Sequence, residues 1–251
     1  MDSTLLLACA AALLAGFVDS VAGGGGLIQL PALLLLYPSV PHEDLFGTNK
    51  VASLCGTATS LARYAQSVPV PWRAVAPSAL AAFAASFAGA SLASRMPLTW
   101  MRPLVVVLLL AVLVWTLLAP TRGLAPREQA APAWAGAVLG LGLGFYDGFF
   151  GPGTGSFLLF AFVAWLGMDF LSASAGAKAV NVATNVAALS AFALGGHVRW
   201  ELAWPMALCN VLGAQLGTKL ALDRGAGFVR RAFVAVVTLL LARLGWTAWQ
   251  G

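Results

Sequence analysis

The chain repeats itself: shifted by 128 residues, its second half aligns with its first without a gap. Polar, charged and aromatic residues recur at this offset, which a shared apolar composition alone would not produce. The recurring residues include Gly16, Asp19, Gly23, Gly25, Lys50, Trp72 and Pro77, which match Gly144, Asp147, Gly151, Gly153, Lys178, Trp200 and Pro205. We therefore divide the chain into repeat 1 at 1–119, an inter-repeat loop at 120–131 and repeat 2 at 132–251.

The low content of charged residues places both repeats in a membrane. The chain is 60% hydrophobic and 9% charged, whereas soluble domains average about 25% charged residues. Its basic residues are dispersed singly, which argues against a nucleic-acid partner. The two histidines lack metal-ligand spacing, and the three cysteines lie apart in apolar segments, which argues against a disulfide framework. The composition predicts an all-α polytopic membrane protein without metal or cofactor.

Each repeat contains five apolar segments, of which the second is short. They lie at 4–19, 26–37, 45–66, 73–94 and 101–119, and at 132–148, 154–167, 173–195, 201–221 and 229–249. A membrane crossing needs about 20 residues. We therefore predict about three full spans and one Gly-rich broken or re-entrant helix element in each repeat. The N-terminal segment lacks the basic residues of a signal peptide and is repeated at 132–148, so we interpret it as a helix of the fold.

The distribution of arginines predicts that the two repeats are inverted relative to each other. Short cytoplasmic loops carry an excess of Lys and Arg. Inverted repeats place seven arginines on one side and three on the other, whereas parallel repeats divide them evenly. The seven are Arg63, Arg73, Arg122, Arg127, Arg224, Arg230 and Arg231, and the three are Arg95, Arg102 and Arg199. This predicts a cytoplasmic central loop and both termini outside.

Glycines interrupt the apolar sequence between the first two segments of each repeat. A helix N-terminus offers unpaired N–H groups that bind anions, and glycine lets a ligand approach the backbone. Close helix packing is the alternative explanation for glycine. Because each cluster precedes a short helix at an equivalent position, we predict a two-sided anion site. Its residues are Gly23, Gly24, Gly25 and Gly26, and Gly151, Gly153, Thr154, Gly155 and Ser156.

The third segment of each repeat carries polar residues on one helical face. Their helical spacing brings them to one side, and ionisable groups inside a membrane usually face a cavity. We therefore predict that this face binds substrate. Its residues are Lys50, Ser53 and Thr57 in repeat 1, and Lys178, Asn181 and Asn185 in repeat 2. Lys50 has the alternative of reaching the membrane edge, since Glu43 and Asp44 are near in sequence.

One carboxylate precedes each glycine cluster, Asp19 in repeat 1 and Asp147 in repeat 2. Each could carry a proton through a transport cycle, or accept hydrogen bonds from free N–H groups as a helix cap does. The residues leave both roles open. An acid beside an anion site has to be protonated or paired, and Lys50 and Lys178 are the candidate partners.

Several sequence stretches resemble the TauE/SafE family of sulfite and organosulfonate exporters. They are GFVDSVAGGGGLIQLPALL, GFYDGFFGPGTGSFLL, GTNKVAS and GAKAVNVATN, and the resemblance covers essentially the whole chain. It implies a multi-pass protein of the bacterial inner membrane that exports a small sulfur-containing anion. Inverted repeats with broken helices further suggest alternating access to a central site. The second break reads GPGTG and not a run of glycines, so the two half-sites differ.

Two other functions stay open at this stage. The first is a proton- or cation-coupled carrier of another small solute, with Asp19 and Asp147 as the coordinating charges. The second is a membrane protein without transport activity, either an assembly partner or an enzyme. No nucleophile and base stand out in the sequence, so we do not predict an enzyme. The expected partners are a small anion and the lipid bilayer, with a homodimer as one alternative for the oligomeric state.

Overall fold

The computed structural model describes residues 3–96 and 132–250, the last part (229–250) as backbone only. Within these ranges the chain forms eight α-helices and no strand, which confirms the all-α prediction. We number them α1 Ser3–Ala22, α2 Gly26–Leu36, α3 His42–Ser67, α4 Trp72–Ala93, α5 Ala133–Phe149, α6 Thr154–Ala164, α7 Phe170–Leu194 and α8 Trp200–Gln250.

The described helices follow the 128-residue offset, so that α1–α4 correspond in order to α5–α8. The segment predicted at 101–119 and the inter-repeat loop at 120–131 lie outside the described residues. The last two predicted segments of repeat 2 both lie in α8, which is interrupted at Gly225 by a non-helical backbone conformation (φ 71°). One detail was wrong: Arg63 was counted with a loop but lies inside α3, where it donates a hydrogen bond to the Gln215 carbonyl (3.4 Å).

Three of the described helices are long and apolar enough to cross a membrane. These are α1, α4 and α7, with mean hydropathies of 2.2, 1.5 and 1.3. The short α2 and α6 have 11 residues each, about half the length that a crossing requires. This agrees with the prediction of one short element in each repeat. The 26-residue α3 has the length of a span but carries the predicted polar stripe.

The helices form two lobes, and each lobe contains one helix from the other repeat. The most extensive helix contacts join α1 to α8 and α4 to α5. We call α1, α2, α3 and α8 lobe A, and α4, α5, α6 and α7 lobe B. One hydrophobic cluster joins the helices of lobe A around Leu33 and Met206, and another joins those of lobe B around Leu158 and Phe162. The fourth helix of each repeat is therefore exchanged between the lobes.

Small residues allow the exchanged helices to pack at close range. A Cβ atom added to Gly144 of α5 would overlap the backbone of Ala82 in α4, and one added to Gly148 would overlap the Ser86 carbonyl. In lobe A, a Cβ on Gly213 of α8 would overlap the Leu13 carbonyl of α1. Backbones at this distance permit no larger side chain. The glycines of α5 and α8 therefore determine which helices pair.

The third helices of the two repeats, α3 and α7, pack against each other across the lobe interface. The ring of Phe46 near the start of α3 packs edge-on against Phe192 near the end of α7 (6.3 Å between centroids). Tyr64 near the end of α3 instead packs with Ala175 near the start of α7. These two contacts show that α3 and α7 run antiparallel. The polar face of each helix is thereby directed to the same interface.

Candidate functional site

The two glycine clusters form two helix breaks that contact each other. Gly23 and Gly24 lie between α1 and α2 with φ angles of 72° and 94°, and Gly151 and Gly153 lie between α5 and α6 with φ angles of 95° and 85°. A Cβ on Gly23 would overlap the backbone of Gly155. Only glycine adopts such φ values without strain and permits this approach. The breaks of the two repeats are therefore one structural unit.

A small polar cavity of about 30 Å³ lies where the breaks meet the polar faces of α3 and α7. A single water needs about 10–15 Å³ by the same measure, so the cavity has room for very few atoms. It is lined by Ala15, Asp19, Gly24, Gly25, Gly26, Asn49, Lys50, Ser53, Thr57, Asp147, Gly151, Gly153, Thr154, Gly155, Asn181, Asn185 and Asn210.

Most of the residues predicted for the site lie in the wall of this one cavity. Three of the predicted residues do not line the cavity. Gly23 and Ser156 lie at the contact between the two breaks, and Lys178 contacts Asp19 on the side away from the cavity. The Ser156 hydroxyl donates a hydrogen bond to the Ala22 carbonyl (3.2 Å). The prediction that glycine breaks and polar stripes converge is consistent with this geometry, while substrate binding by these residues stays a prediction.

Two buried ion pairs connect lobe A to lobe B. Lys50 Nζ lies 3.1 Å from Asp147 Oδ1 and 2.8 Å from the Asp147 carbonyl oxygen. Lys178 Nζ lies 2.6 Å from Asp19 Oδ2 and also donates to the Asp19 carbonyl oxygen. Each pair joins a lysine of one repeat to the aspartate of the other. Asp19 and Asp147 are therefore paired with the two lysines that the sequence suggested as their candidate partners.

The structure decides two alternatives that the sequence left open. The Lys50 side chain is 5% exposed and paired with Asp147, so the interpretation that it reaches the membrane edge was wrong. No side chain caps the N-terminus of α2 or α6, so the capping role for the two aspartates was wrong as well. Both helix N-termini line the cavity and, lacking a side-chain acceptor, offer backbone N–H groups to an anion.

The two carboxylates differ in how completely they are paired. Asp19 Oδ2 accepts hydrogen bonds from Lys178 and from the Thr57 hydroxyl (3.4 Å), and its side chain is 18% exposed. Asp147 is 3% exposed, and its Oδ2 is buried without a hydrogen-bond partner in the described structure. The half-sites are thus unequal in charge pairing, as the different break sequences suggested.

A chain of amide side chains on one side of the cavity was not predicted from sequence. Asn210 Nδ2 donates to Gln29 Oε1 (2.7 Å), and Gln29 Nε2 donates to the Asn49 carbonyl (3.4 Å). At the 128-residue offset these three residues correspond to Ala82, Phe157 and Ala177, so the chain has no symmetric counterpart on the other side of the cavity. The sequence signal for this chain is a single amide residue within an apolar segment, as in LIQLP and LCN. The other repeat has no amide at the equivalent position.

Replacing Gln29 with Leu is expected to lower the free energy of unfolding by about 1–3 kcal/mol, because the buried Asn210 amide loses its acceptor. Thermal unfolding in detergent measures the effect. The double variant Gln29→Leu, Asn210→Ala is the control: removing both partners should cost less than the sum of the single changes. Strictly additive losses would show that the two amides are not coupled.

The chain is thus a polytopic helical protein whose buried polar cavity lies between two lobes, an arrangement typical of membrane transporters. The sulfite exporter TauE/SafE family profile matches residues 8–244. Three similar proteins are named as probable membrane transporters. One from Sinorhizobium, ORF9, is 37% identical over 93% of this chain and 89% of its own length. One from Haemophilus influenzae is 32% identical over 98% and 97%, and YfcA from Escherichia coli K12 is 33% identical over 93% and 86%.

The chain belongs to the TauE/SafE family and is a membrane transporter, because the family match and the relatives cover almost its whole length. No solved structure matches it. The family places the cavity described above in a protein embedded in a membrane.

Proposed function

We propose that the protein is a secondary transporter that exports a small sulfur-containing anion, such as sulfite or an organosulfonate. The single observation that supports this most is the cavity wall, in which two uncapped helix N-termini and the Lys50 ammonium face the same small space. Helix N-termini and lysine both stabilise negative charge. The volume of about 30 Å³ favours a compact ligand.

The proposed mechanism is alternating access between inverted repeats. Two equivalent helices run antiparallel when the repeats are related by a two-fold axis in the membrane plane. The helices α3 and α7 occupy equivalent positions in the two repeats and run antiparallel, which supports this mechanism. The exchanged helices suggest that lobe A and lobe B are the moving units. The two Lys–Asp pairs connect these lobes, so separating the lobes on one side has to break or rearrange them.

The proposal includes an orientation in the bacterial inner membrane, with the central loop cytoplasmic and both termini outside. Its support is the excess of arginine in the loops of that side; without Arg63, which lies in α3, the ratio is six to three. Labelling of single cysteines with an impermeant reagent in intact cells tests it. Cysteine at position 39 or 196 should react from outside and cysteine at position 69 should not. The reverse pattern would contradict the orientation.

Purified protein reconstituted in liposomes tests the transport function. Vesicles loaded with sulfite, and others loaded with methanesulfonate, should release the anion faster than protein-free vesicles when its outside concentration is low. A Lys50→Glu variant should release neither anion, whereas Lys219→Glu, an exposed lysine of α8, should behave as the parent protein does. Failure of the parent protein to move sulfite, sulfonate or carboxylate anions would contradict the proposal.

A second candidate is a carrier of a cationic or neutral solute that uses Asp19 and Asp147 as coordinating charges. The observation that favours it is the presence of both carboxylates in the cavity wall. The Lys50→Glu variant separates the two functions, because an added negative charge repels an anion but attracts a cation. We propose transport alone for this chain and assign it no enzymatic reaction.

A further inference from the structure

We propose that an anion enters the cavity together with one proton, and that this proton is held by Asp147 and not by Asp19. The inference rests on the proposed anion transport and identifies the second ligand of the same site. It follows from the charge balance of the cavity, the unequal pairing of the two carboxylates and the position of Lys50.

The charged groups of the site cancel one another. Lys50 pairs with Asp147 and Lys178 pairs with Asp19, so the four side chains carry no net charge when ionised. Around Asp147, α3 contributes Lys50, while Asp19 of α1 and Lys178 of α7 lie across the cavity. The described residues of α6 contain no charged group, and α4 has only Arg73 at its opposite end. A monovalent anion alone would therefore leave one negative charge uncompensated in a buried site, which is costly.

Asp147 has a buried carboxylate oxygen without a hydrogen-bond partner in the described structure, and Asp19 has none of this kind. Asp147 Oδ2 is buried and unpartnered, whereas Asp19 Oδ2 accepts two hydrogen bonds. A buried acceptor without a partner is destabilising. Asn49 Oδ1, in the same cavity wall, is also buried and unpartnered. Neither of these oxygens receives a hydrogen bond, and an anion brings only acceptors. A proton on Asp147 Oδ2 supplies the missing donor.

Protonation of Asp147 also makes the Lys50 charge available. The proton passes from water to Asp147 Oδ2, and no other covalent bond changes. Lys50 Nζ then loses its ionic partner at 3.1 Å but keeps the Asp147 carbonyl oxygen at 2.8 Å as a hydrogen-bond acceptor. Its positive charge is therefore held at the cavity wall beside the anion. Asp19 keeps its contact with Lys178.

Proton uptake can be counted during binding of methanesulfonate, which keeps one negative charge at every pH used. Calorimetric titration of the purified protein in two buffers of different ionisation enthalpy gives the protons bound per anion. The parent protein is expected to take up about one proton, in accordance with proton linkage. Asp147→Asn, which resembles the protonated side chain, should bind the anion with no proton uptake. Glu201→Gln, which neutralises an exposed carboxylate of α8 outside the cavity, is the control and should still take up about one.

Each outcome decides the inference. Methanesulfonate binding without proton uptake by the parent protein would overturn it and leave the proposed transport intact. Uptake that is kept in Asp147→Asn would overturn the assignment to Asp147. No binding of methanesulfonate or sulfite would overturn the proposed function together with the inference. If Asp147→Asn does not fold, the parent protein serves: its dissociation constant should rise about tenfold per pH unit at alkaline pH, and a constant value would overturn the inference.

Discussion

Replacing Lys50 with Met is expected to weaken anion binding strongly and to destabilise the protein. Lys50 is the lysine that lines the cavity, so the variant removes the positive charge closest to the bound anion. Loss of a charge-assisted hydrogen bond costs about 1.5–3 kcal/mol, which corresponds to an affinity lowered roughly 10- to 150-fold. A thermal-shift titration with methanesulfonate measures this, since a bound ligand raises the unfolding temperature.

The stability effect of Lys50→Met comes from the carboxylate that it leaves behind. Breaking a buried ion pair by removing one partner costs about 3–5 kcal/mol, because the other charge is then buried alone. The double variant Lys50→Met, Asp147→Asn removes both charges and should recover most of this loss without recovering anion binding. Lys219→Met, at an exposed position of α8, is the control that removes a lysine outside the cavity. Anion binding retained in Lys50→Met would contradict the assigned role.

Replacing Gly23 with Ala is expected to disrupt both helix breaks. Gly23 has a φ angle of 72°, which costs a residue with a Cβ about 1–2 kcal/mol. The added methyl group would also overlap the backbone of Gly155 in the opposite break. Overpacking of this kind costs about 1–3 kcal/mol. Because backbone atoms on both sides have to shift, we expect less folded protein and loss of transport together.

Gly142→Ala provides the matched control for Gly23→Ala. Gly142 lies in α5, has a helical backbone, and an added Cβ meets no atom within 4 Å. Alanine is favoured over glycine in a helix by up to about 1 kcal/mol. The yield of folded protein from size-exclusion chromatography and the rate of anion release from vesicles are the two measurements. Similar effects of the two substitutions would show that the contact between the breaks is unimportant.

The elements that the sequence predicted correctly depend on residues that are unusual for their surroundings. Lysine, aspartate and glycine clusters are costly or destabilising inside apolar helices, so their recurrence at one offset identified the breaks and the charged groups. The pairing of Lys50 and Lys178 with aspartates was foreseeable because a buried carboxylate needs a partner. Which lysine pairs with which aspartate depends on contacts between the two lobes, which the sequence does not give.

Other features depend on contacts between residues far apart in the chain. The exchange of α4 and α8 between the lobes depends on close backbone contacts such as that of Gly144 with Ala82. Apolar periodicity does not tell which apolar helix packs against which. The amide chain through Gln29 joins residues 181 positions apart. In the sequence each of these residues is an isolated polar residue, so the sequence gives no reason to connect them.

The exchange of helices between the lobes has a consequence for how the chain is made. During synthesis α1 emerges before its principal neighbour α8, with the six other described helices in between. Contacts between distant parts of a chain form slowly because a long loop has to close first. Lobe B, whose helices are consecutive from α4 to α7 apart from the intervening residues, can assemble while the ribosome is still at work. Lobe A can be completed only after α8 has been made, so α1 lies in the membrane without its principal neighbour until then.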